Sequence, residues 1–405
     1  MSVLNGKKIL LGISGGIAAY KTASLVRLFI KAGAHVQVIM TPASKDFVTP
    51  LTLSTLSKNP VYSSFYNQDN EDEKWNNHVE LALWADLMII APATANTLSK
   101  MTNGICDNLL IAAYLSAKCP VYFAPAMDLD MYKHPSTIAN FSSLTQFGNT
   151  IIPAETGELA SGLSGEGRMA EPENIVAFIE ADLNNKLPLK GKKILITAGP
   201  TYEAIDPVRF IGNHSSGKMG FDIAISAANL GASVFLVSGP TLFTVSNPLI
   251  EVINVVSAEE MYLACHQRYG DVDVAIAAAA VADYKPKNVA KQKIKKAADN
   301  FVIELEKTKD ILASLGTLKK NQFLIGFALE TENEIENAKL KIQKKNLDLI
   351  VLNSLQDQGA GFGKPTNKVT FIDQFFNLEP MELKSKEAVA DDILNKVIAH
   401  FEKLR

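Results

Sequence analysis

Cysteine is scarce in this chain: Cys106, Cys119 and Cys265 are the only three among 405 residues. An odd number without metal-ligand spacing excludes a disulfide framework and a structural zinc site, and makes a reducing, cytoplasmic setting the expectation. Long apolar runs are missing as well. The longest, such as VAIAAAAVA at 274–282, fall far below the ~18 residues of a membrane-spanning helix. The stretch after Lys7 and Lys8 has the charge pattern of a signal peptide, but it is broken by glycines at 12, 15 and 16 and reads instead as a first strand and turn. No charge of one sign dominates, with 40 Lys plus Arg against 43 Asp plus Glu and a net charge of −3. Without a basic field, nucleic acid and anionic membranes drop out as partners. What is present is 47% hydrophobic and 20% charged, the balance of a globular chain rather than a disordered one.

At roughly 150 residues per domain, the length predicts two or three domains. Two segments open alike, GKKILLGISGG from Gly6 and GKKILITAGPT from Gly191. Each is a short apolar run ending in a glycine-containing turn, as first strands of open α/β sheets do. Each leads through a helical stretch to a strand introduced by Gly-Ala, at 33–41 and at 231–239. Continuous apolar runs at 86–93 and 273–280 read as third strands covered on both faces. The predicted class is α/β, two Rossmann-like open parallel-sheet domains. The polar, Pro188-containing segment ADLNNKLPLKG is the natural linker, so the domains expected are 1–186 and 187–405. Thirteen more residues separate the landmarks in the second half than in the first, around EAIDPVRFIGNHSS. A loop inserted after a first parallel strand lies where such sheets bind ligands.

In the first half, GISGGIAAYK places Gly15 and Gly16 at a strand-to-helix turn, where backbone N–H groups and the helix dipole hold a phosphate. The GxGxxG spacing is absent, and no acidic residue follows the next strand at Met40-Thr41-Pro42. Both absences disfavour an NAD-dependent oxidoreductase and fit a mononucleotide phosphate better. A second polar loop, PATANT at 92–97, offers Thr94, Asn96 and Thr97 to the same crevice, or serves only as a turn and helix cap.

The set GISGGIAAYK, NHVEL at 77–81, PATANT, NGICDNLL at 103–110, PAMDLDM at 125–131 and GLSGEGRM at 162–169 resembles the flavin-dependent cysteine decarboxylases. The second half, ITAGPTYEAIDPVRFIGNHSSGKMG followed by AAVADYKP and KIKK, resembles the phosphopantothenate-cysteine ligases. The order of the halves is that of the bifunctional proteins of coenzyme A biosynthesis. This resemblance implies a flavodoxin-like flavoprotein domain before a CTP-dependent ligase domain, a homo-oligomer with the flavin near a subunit contact, and 4'-phosphopantothenate, cysteine and CTP as substrates. It gives FMN to Gly15, Gly16, Ile17, Thr41, Thr94, Ala95, Asn96 and Thr97. It makes His78 the catalytic histidine, where residue type alone reads a surface or packing side chain. It gives the decarboxylase substrate to Asn108, Met131, Arg168 and Met169; Asn108 reads equally well as a helix cap, and Arg168 lies in a Gly-rich loop suited to a lid. Two residues depart from the family. Asp128 stands where it has asparagine, and Ser161 where it has the proton-donating cysteine. They motivate a rival in which the first domain is a flavin-binding assembly module of lapsed activity and only the ligase works.

In the second half Ser215-Ser216-Gly217-Lys218 looks like the tail of a Walker motif, but GxxxxGKS is not met. By resemblance Arg209, Asn213 and Ala279 hold the acyl cytidylate, and the Asn213 amide stabilises charge on the reacting carboxyl. Asp283 is expected to end the buried third strand, where a carboxylate needs a cation or donors; the resemblance has it serve CTP through Mg²⁺. The remaining CTP residues by resemblance are Lys293, Thr308, Lys309, Asp310, Ile311, Phe327, Lys341 and Lys345, with the family's usual Asn-Pro replaced at 308 and 309.

Overall fold

The computed structural model describes residues 2–66, 75–159, 161–295, 302–330, 332–354 and 364–404; Lys296 of the KIKK motif lies outside them. Two compact units divide the chain, Met1–Asn185 and Lys186–Arg405.

The first unit is built on strands β1 (Lys8–Ile13), β2 (His35–Met40), β3 (Val61–Tyr62), β4 (Leu87–Ala93), β5 (Val121–Pro125) and β6 (Thr150–Ile151), followed by the hairpin β7 (Glu155–Glu158) and β8 (Ser164–Arg168). Its helices are α1 (Thr22–Lys31), α2 (Pro50–Ser57), α3 (His78–Trp84), α4 (Ala95–Asn103), α5 (Leu109–Ser116), α6 (Leu129–Lys133), α7 (Pro135–Gln146) and α8 (Pro172–Asn185). The six-stranded sheet runs β3-β2-β1-β4-β5-β6, parallel throughout. Both faces are covered, which is why the strands read as unbroken apolar runs: Ile9, Leu11 and Ile13 enter one core and Leu10 the other. In α1 the buried positions Thr22, Leu25, Val26 and Phe29 trace one helical stripe. Strand order reverses between β1 and β4, and a crevice opens at the carboxyl ends there. The glycine turn after β1 leads first into a 3₁₀ turn, Ile17–Lys21, and only then into α1, so the phosphate-cradling turn expected from sequence does not open directly onto an α-helix.

The second unit contains β9 (Lys193–Ala198), the hairpin β10 (Tyr202–Ala204) and β11 (Phe210–Gly212), then β12 (Ser233–Ser238), β13 (Ile250–Asn254), β14 (Val274–Ala277), β15 (Tyr284–Pro286), β16 (Leu305–Lys307), β17 (Phe323–Glu330), β18 (Leu349–Ser354), β19 (Thr366–Asn367), β20 (Val369–Asp373), β21 (Leu378–Pro380) and β22 (Lys384–Ser385). Its helices are α9 (Lys218–Asn229), α10 (Ala258–Tyr269), α11 (Ile311–Leu318), α12 (Glu334–Lys345) and α13 (Lys386–Lys403). The main sheet runs β13-β12-β9-β14-β17-β18-β20-β21. Its first six strands are parallel as expected, but β20 and β21 are antiparallel. A tight turn permits this: Asp373 accepts from the N–H groups of Phe375 and Asn377, both at 2.9 Å, and Phe376 takes φ 66°.

The run expected as a third strand to residue 280 leaves the sheet after Ala277. Ala279 N–H donates to Thr197 Oγ1 at 3.1 Å and Ala280 N–H to Gly199 O at 2.9 Å, which turns the chain across the strand ends. The inserted segment is the β10–β11 hairpin, whose Tyr202 and Phe210 rings stack at 3.8 Å.

Candidate active sites

In the first unit a cavity of about 490 Å³ opens at the switch point, bordered by Gly15, Thr41, Thr94 to Thr97, Asn108 and Met131. Gly15 permits the close approach of two turns, because a Cβ there would lie 2.8 Å from Ala43 Cβ and 2.9 Å from its carbonyl carbon. Thr41 Oγ1 is buried without a partner, so the wall keeps a polar group for a ligand to satisfy. Thr94 caps α4, accepting from Thr97 N–H at 3.4 Å, and Ser14 Oγ ties the loop to Pro92 O at 2.7 Å. Asn108 does both things its sequence allowed. Its Oδ1 caps α5 through Ile111 N–H at 3.1 Å and its Nδ2 donates to Asp107 at 2.8 Å, while the residue borders the cavity.

A second cavity of about 530 Å³ is bordered by Gly16, Ile17, Asp128, Ser161, Arg168 and Met169, and shares Ala126 and Met127 with the first. Asp128 caps α6, accepting from Leu129 N–H at 2.7 Å, which an asparagine would do equally well. The β8 lid lies close against the β5–α6 loop: at Gly167, with φ 143°, a Cβ would come 2.5 Å from Met127 O. Met169 is 1% exposed and packed in the core, so it meets this cavity only at its floor. Arg168 and the buried Lys21 both pair with Glu171, Lys21 Nζ at 2.9 Å, and Lys21 also donates to Met169 O at 3.0 Å. The hydrogen bond from Lys21, with the charges of Lys21 and Arg168, holds the Glu171 carboxyl below the usual range against its partial burial. Sequence reading missed this Lys21–Glu171 strut, since its members lie 150 residues apart.

His78 stands outside both linings. It begins α3 with its ring steeply inclined to those of the stacked pair Phe65 and Trp75, centroids 6.0 and 6.3 Å away, and its Nδ1 is buried without a partner. Its helix packs against α5, whose cap Asn108 borders the first cavity.

The second unit carries a cavity of about 620 Å³ at the carboxyl ends of β9, β14 and β17. Ala279, Asp283, Thr308, Lys309, Asp310, Ile311, Phe327, Lys341 and Lys345 all border it; Lys293, Arg209 and Asn213 do not. Asp283 does not end a buried strand. It is exposed in the loop before β15, so the desolvation expected from sequence does not arise, and its backbone carbonyl accepts from Thr308 N–H at 3.0 Å. Lys345 pairs with Asp310 at 2.8 Å, Lys341 with Glu330 at 3.1 Å and Lys309 with Glu259 at 2.7 Å. Burial pushes the Asp310 carboxyl up, but Lys345, the Ala313 N–H and Lys341 outweigh it and hold it low. Asn213 turns its amide onto Ala280 O and Val281 O, at 2.9 and 3.2 Å, rather than toward a reacting carboxyl. Arg209 pairs with Asp206 and donates to Ile294 O at 3.2 Å, tying the hairpin to the Lys293 segment. Buried Asp206 organises this loop. Burial alone would raise its carboxyl, but the N–H groups of Val208, Ile294 and Arg209 and the Arg209 charge hold it below the usual carboxylate value.

Residues 2–184 match the family described as "Flavoprotein", and residues 189–401 match the "DNA/pantothenate metabolism flavoprotein C-terminal domain". The coenzyme A biosynthesis bifunctional protein CoaBC of Bacillus subtilis is 45% identical, with 98% of each chain covered. The chain belongs to the CoaBC family. The Vibrio parahaemolyticus member is 47% identical over 98% of this chain and 99% of its own. A cysteine/cysteine sulfinic acid decarboxylase from an unknown prokaryotic organism is 54% identical over 87% of this chain and 99% of its own.

Against this CoaBC frame, the second unit shows polar residues that sequence reading passed over. Asn353 and Asn367 border the cavity with Oδ1 atoms buried and unpartnered, and Lys386 borders it at 6% exposure. Among the described residues there is no cluster of three or more His, Cys, Asp or Glu able to hold a metal, and no helix long and apolar enough to cross a membrane.

Proposed function

We propose that this CoaBC-family chain joins 4'-phosphopantothenate to cysteine with CTP and then decarboxylates the phosphopantothenoylcysteine with FMN. The observation carrying this reading is that the FMN set divides over two abutting cavities of the first unit, while every CTP residue but Lys293 borders one cavity of the second.

The first pair of cavities suits FMN. Gly15, Thr41 and the Thr94 to Thr97 loop would hold it, Thr41 Oγ1 gaining the partner it lacks, with Gly16 and Ile17 at the neighbouring wall. When bound, the flavin supplies oxidation of the substrate thiol, which eases loss of the neighbouring carboxylate. Asn108 and Met131 border the substrate on one side, Asp128, Ser161 and Arg168 on the other; Arg168 grips an anionic group, steadied through Glu171. A serine hydroxyl is a far weaker acid than a thiol, whose ordinary pKa is about 8.5, so Ser161 positions a water rather than donating its own proton. His78 completes the site in a homo-oligomer. In support, it lies outside both cavities of its own chain, and α3 exposes Val79 and Leu83 beside it.

In the second unit the carboxylate of 4'-phosphopantothenate attacks the α-phosphorus of CTP, and pyrophosphate leaves. The cysteine amine then displaces CMP from the acyl carbon. Lys341 and Lys345 meet the nucleotide's charge as it competes with Glu330 and Asp310, Phe327 gives an apolar wall, and exposed Asp283 is free to meet Mg²⁺ carried by the nucleotide. Asn213 acts here as a positioning residue, holding the 280–281 backbone at the cavity rim.

The test is product analysis with flavin-replete protein, 4'-phosphopantothenate, cysteine, CTP and Mg²⁺. Pyrophosphate and carbon dioxide are expected, and the released cofactor should be FMN. Free cysteine and cysteine sulfinate are assayed alongside, since a relative is named for them. A wild type that ligates but releases no carbon dioxide, and is rescued by Ser161→Cys, establishes instead the lapsed-module reading.

A further inference from the structure

The cationic end of the second-unit cavity is short of negative charge. Helices α9 and α13 both begin there, with Lys218 and Lys386 as their first residues. Free N–H groups of a first turn carry partial positive charge and favour acidic neighbours, yet here two lysines are added. The groups facing Lys386 are few. Asp222 lies near it on α9, but Lys218 Nζ sits 2.8 Å from both Asp222 oxygens. Glu387 is 78% exposed and 3.7 Å from Lys218. Lys386 is itself 94% buried at 6% exposure, and among the described residues its ammonium has no hydrogen bond and no ion pair. Burial pushes that ammonium below the usual lysine value, with Asp222 pulling the other way and Lys218 adding to the fall. Asn367, 3% exposed, adds a buried Oδ1 without a partner at the same cavity.

An unpaired buried ammonium is costly to keep, and a ligand of high negative charge removes the cost. Lys341, Lys345 and Lys309 are already matched by Glu330, Asp310 and Glu259, and Lys307 is exposed to water; among the described residues Lys386 is the buried lysine of this cavity without such a match. We propose that Lys386, with Lys218 and the first turn of α9, binds the β- and γ-phosphates of the nucleotide and holds them as they become pyrophosphate. This rests on the CTP reading above. When the substrate carboxylate attacks the α-phosphorus, the bond to the bridging oxygen breaks and its electron pair stays on the departing pyrophosphate, so the negative charge grows on the side where Lys386 waits.

Inorganic pyrophosphate, titrated calorimetrically into the full-length protein with Mg²⁺, tests the site without reference to the base. Lys386→Met should weaken pyrophosphate binding roughly 10- to 100-fold, the range for a charged hydrogen bond lost, and raise the KM for CTP. Lys386→Arg should restore most of it. The unliganded Lys386→Met protein should melt no lower than wild type, because a buried unpaired charge has been replaced by an apolar side chain of similar length, and flavin content should not change. Unchanged pyrophosphate affinity in Lys386→Met, or in Lys386→Gln if the methionine variant does not fold, overturns the proposal. So does a lower melting point with binding intact, which marks a structural lysine. If wild type binds pyrophosphate through Lys386 but turns over ATP and not CTP, the nucleotide assignment fails while the anion site stands.

Discussion

Single residues in this chain often carry two duties, and the structure separates them. Gly15 is needed because Ala43 leaves no room for a Cβ. Gly15→Ala should displace the Pro42–Asp46 turn, destabilise the first unit by about 1–3 kcal/mol as over-packing does, and lower the flavin retained after gel filtration; undiminished flavin would show that this turn does not touch it. Asp206 is an anchor rather than a reagent. Its folded pKa lies below its ordinary value of 3.8, so its contribution is fully present above that pH and is lost as pH falls through the folded value. Asp206→Asn should therefore melt earlier than wild type at neutral pH, and the gap should close below pH 3.8. A gap independent of pH would remove the charge from the explanation.

At the scale of elements, helix starts are the devices that build both sites. Thr94, Asn108 and Asp128 each cap a helix and each face a cavity, so the same oxygen that ends a loop fixes the wall. Asn108 allows the duties to be separated. Asn108→Ser keeps a capping oxygen and should change stability by no more than a few tenths of a kcal/mol, whereas Asn108→Ala should cost about 1 kcal/mol. Both remove the carboxamide from the cavity, and both should slow carbon dioxide release. Denaturant midpoints read beside decarboxylase rates check this, and a serine variant of full activity would confine Asn108 to capping.

For the whole molecule, the division at Asn185 and Lys186 leaves each unit with its own cores and its own cavity region. Fragments 1–185 and 186–405, expressed separately, should each fold cooperatively. The first should be yellow, the second should release pyrophosphate from CTP, and their mixture should run both reactions. A folded but colourless first fragment would show that flavin retention needs more of the chain. His78→Asn should abolish carbon dioxide release while leaving ligation untouched, which an assay of both products in one reaction reads directly.

The sequence by itself determined the parallel sheets and the second-half insertion. Period, turn glycines and unbroken apolar runs are local signals, and buried β1, β4 and β9 express them directly. It also placed the glycine turn after β1 and the 92–97 loop at the strand ends, where both border a cavity, because their spacing to the strand ends is short. The antiparallel edge at β20 and β21 was less legible, resting on a turn around Asp373 rather than on a pattern within the strands. Tertiary structure alone decided which charged side chains of the sites are buried and which are exposed. Asp283, read as the end of a buried strand, is exposed because the chain leaves the sheet after Ala277. Lys386 is buried because α13 packs along α9 and brings both N-termini to one cavity. Desolvation and pairing depend on which distant segments meet, and no local pattern of residues encodes that.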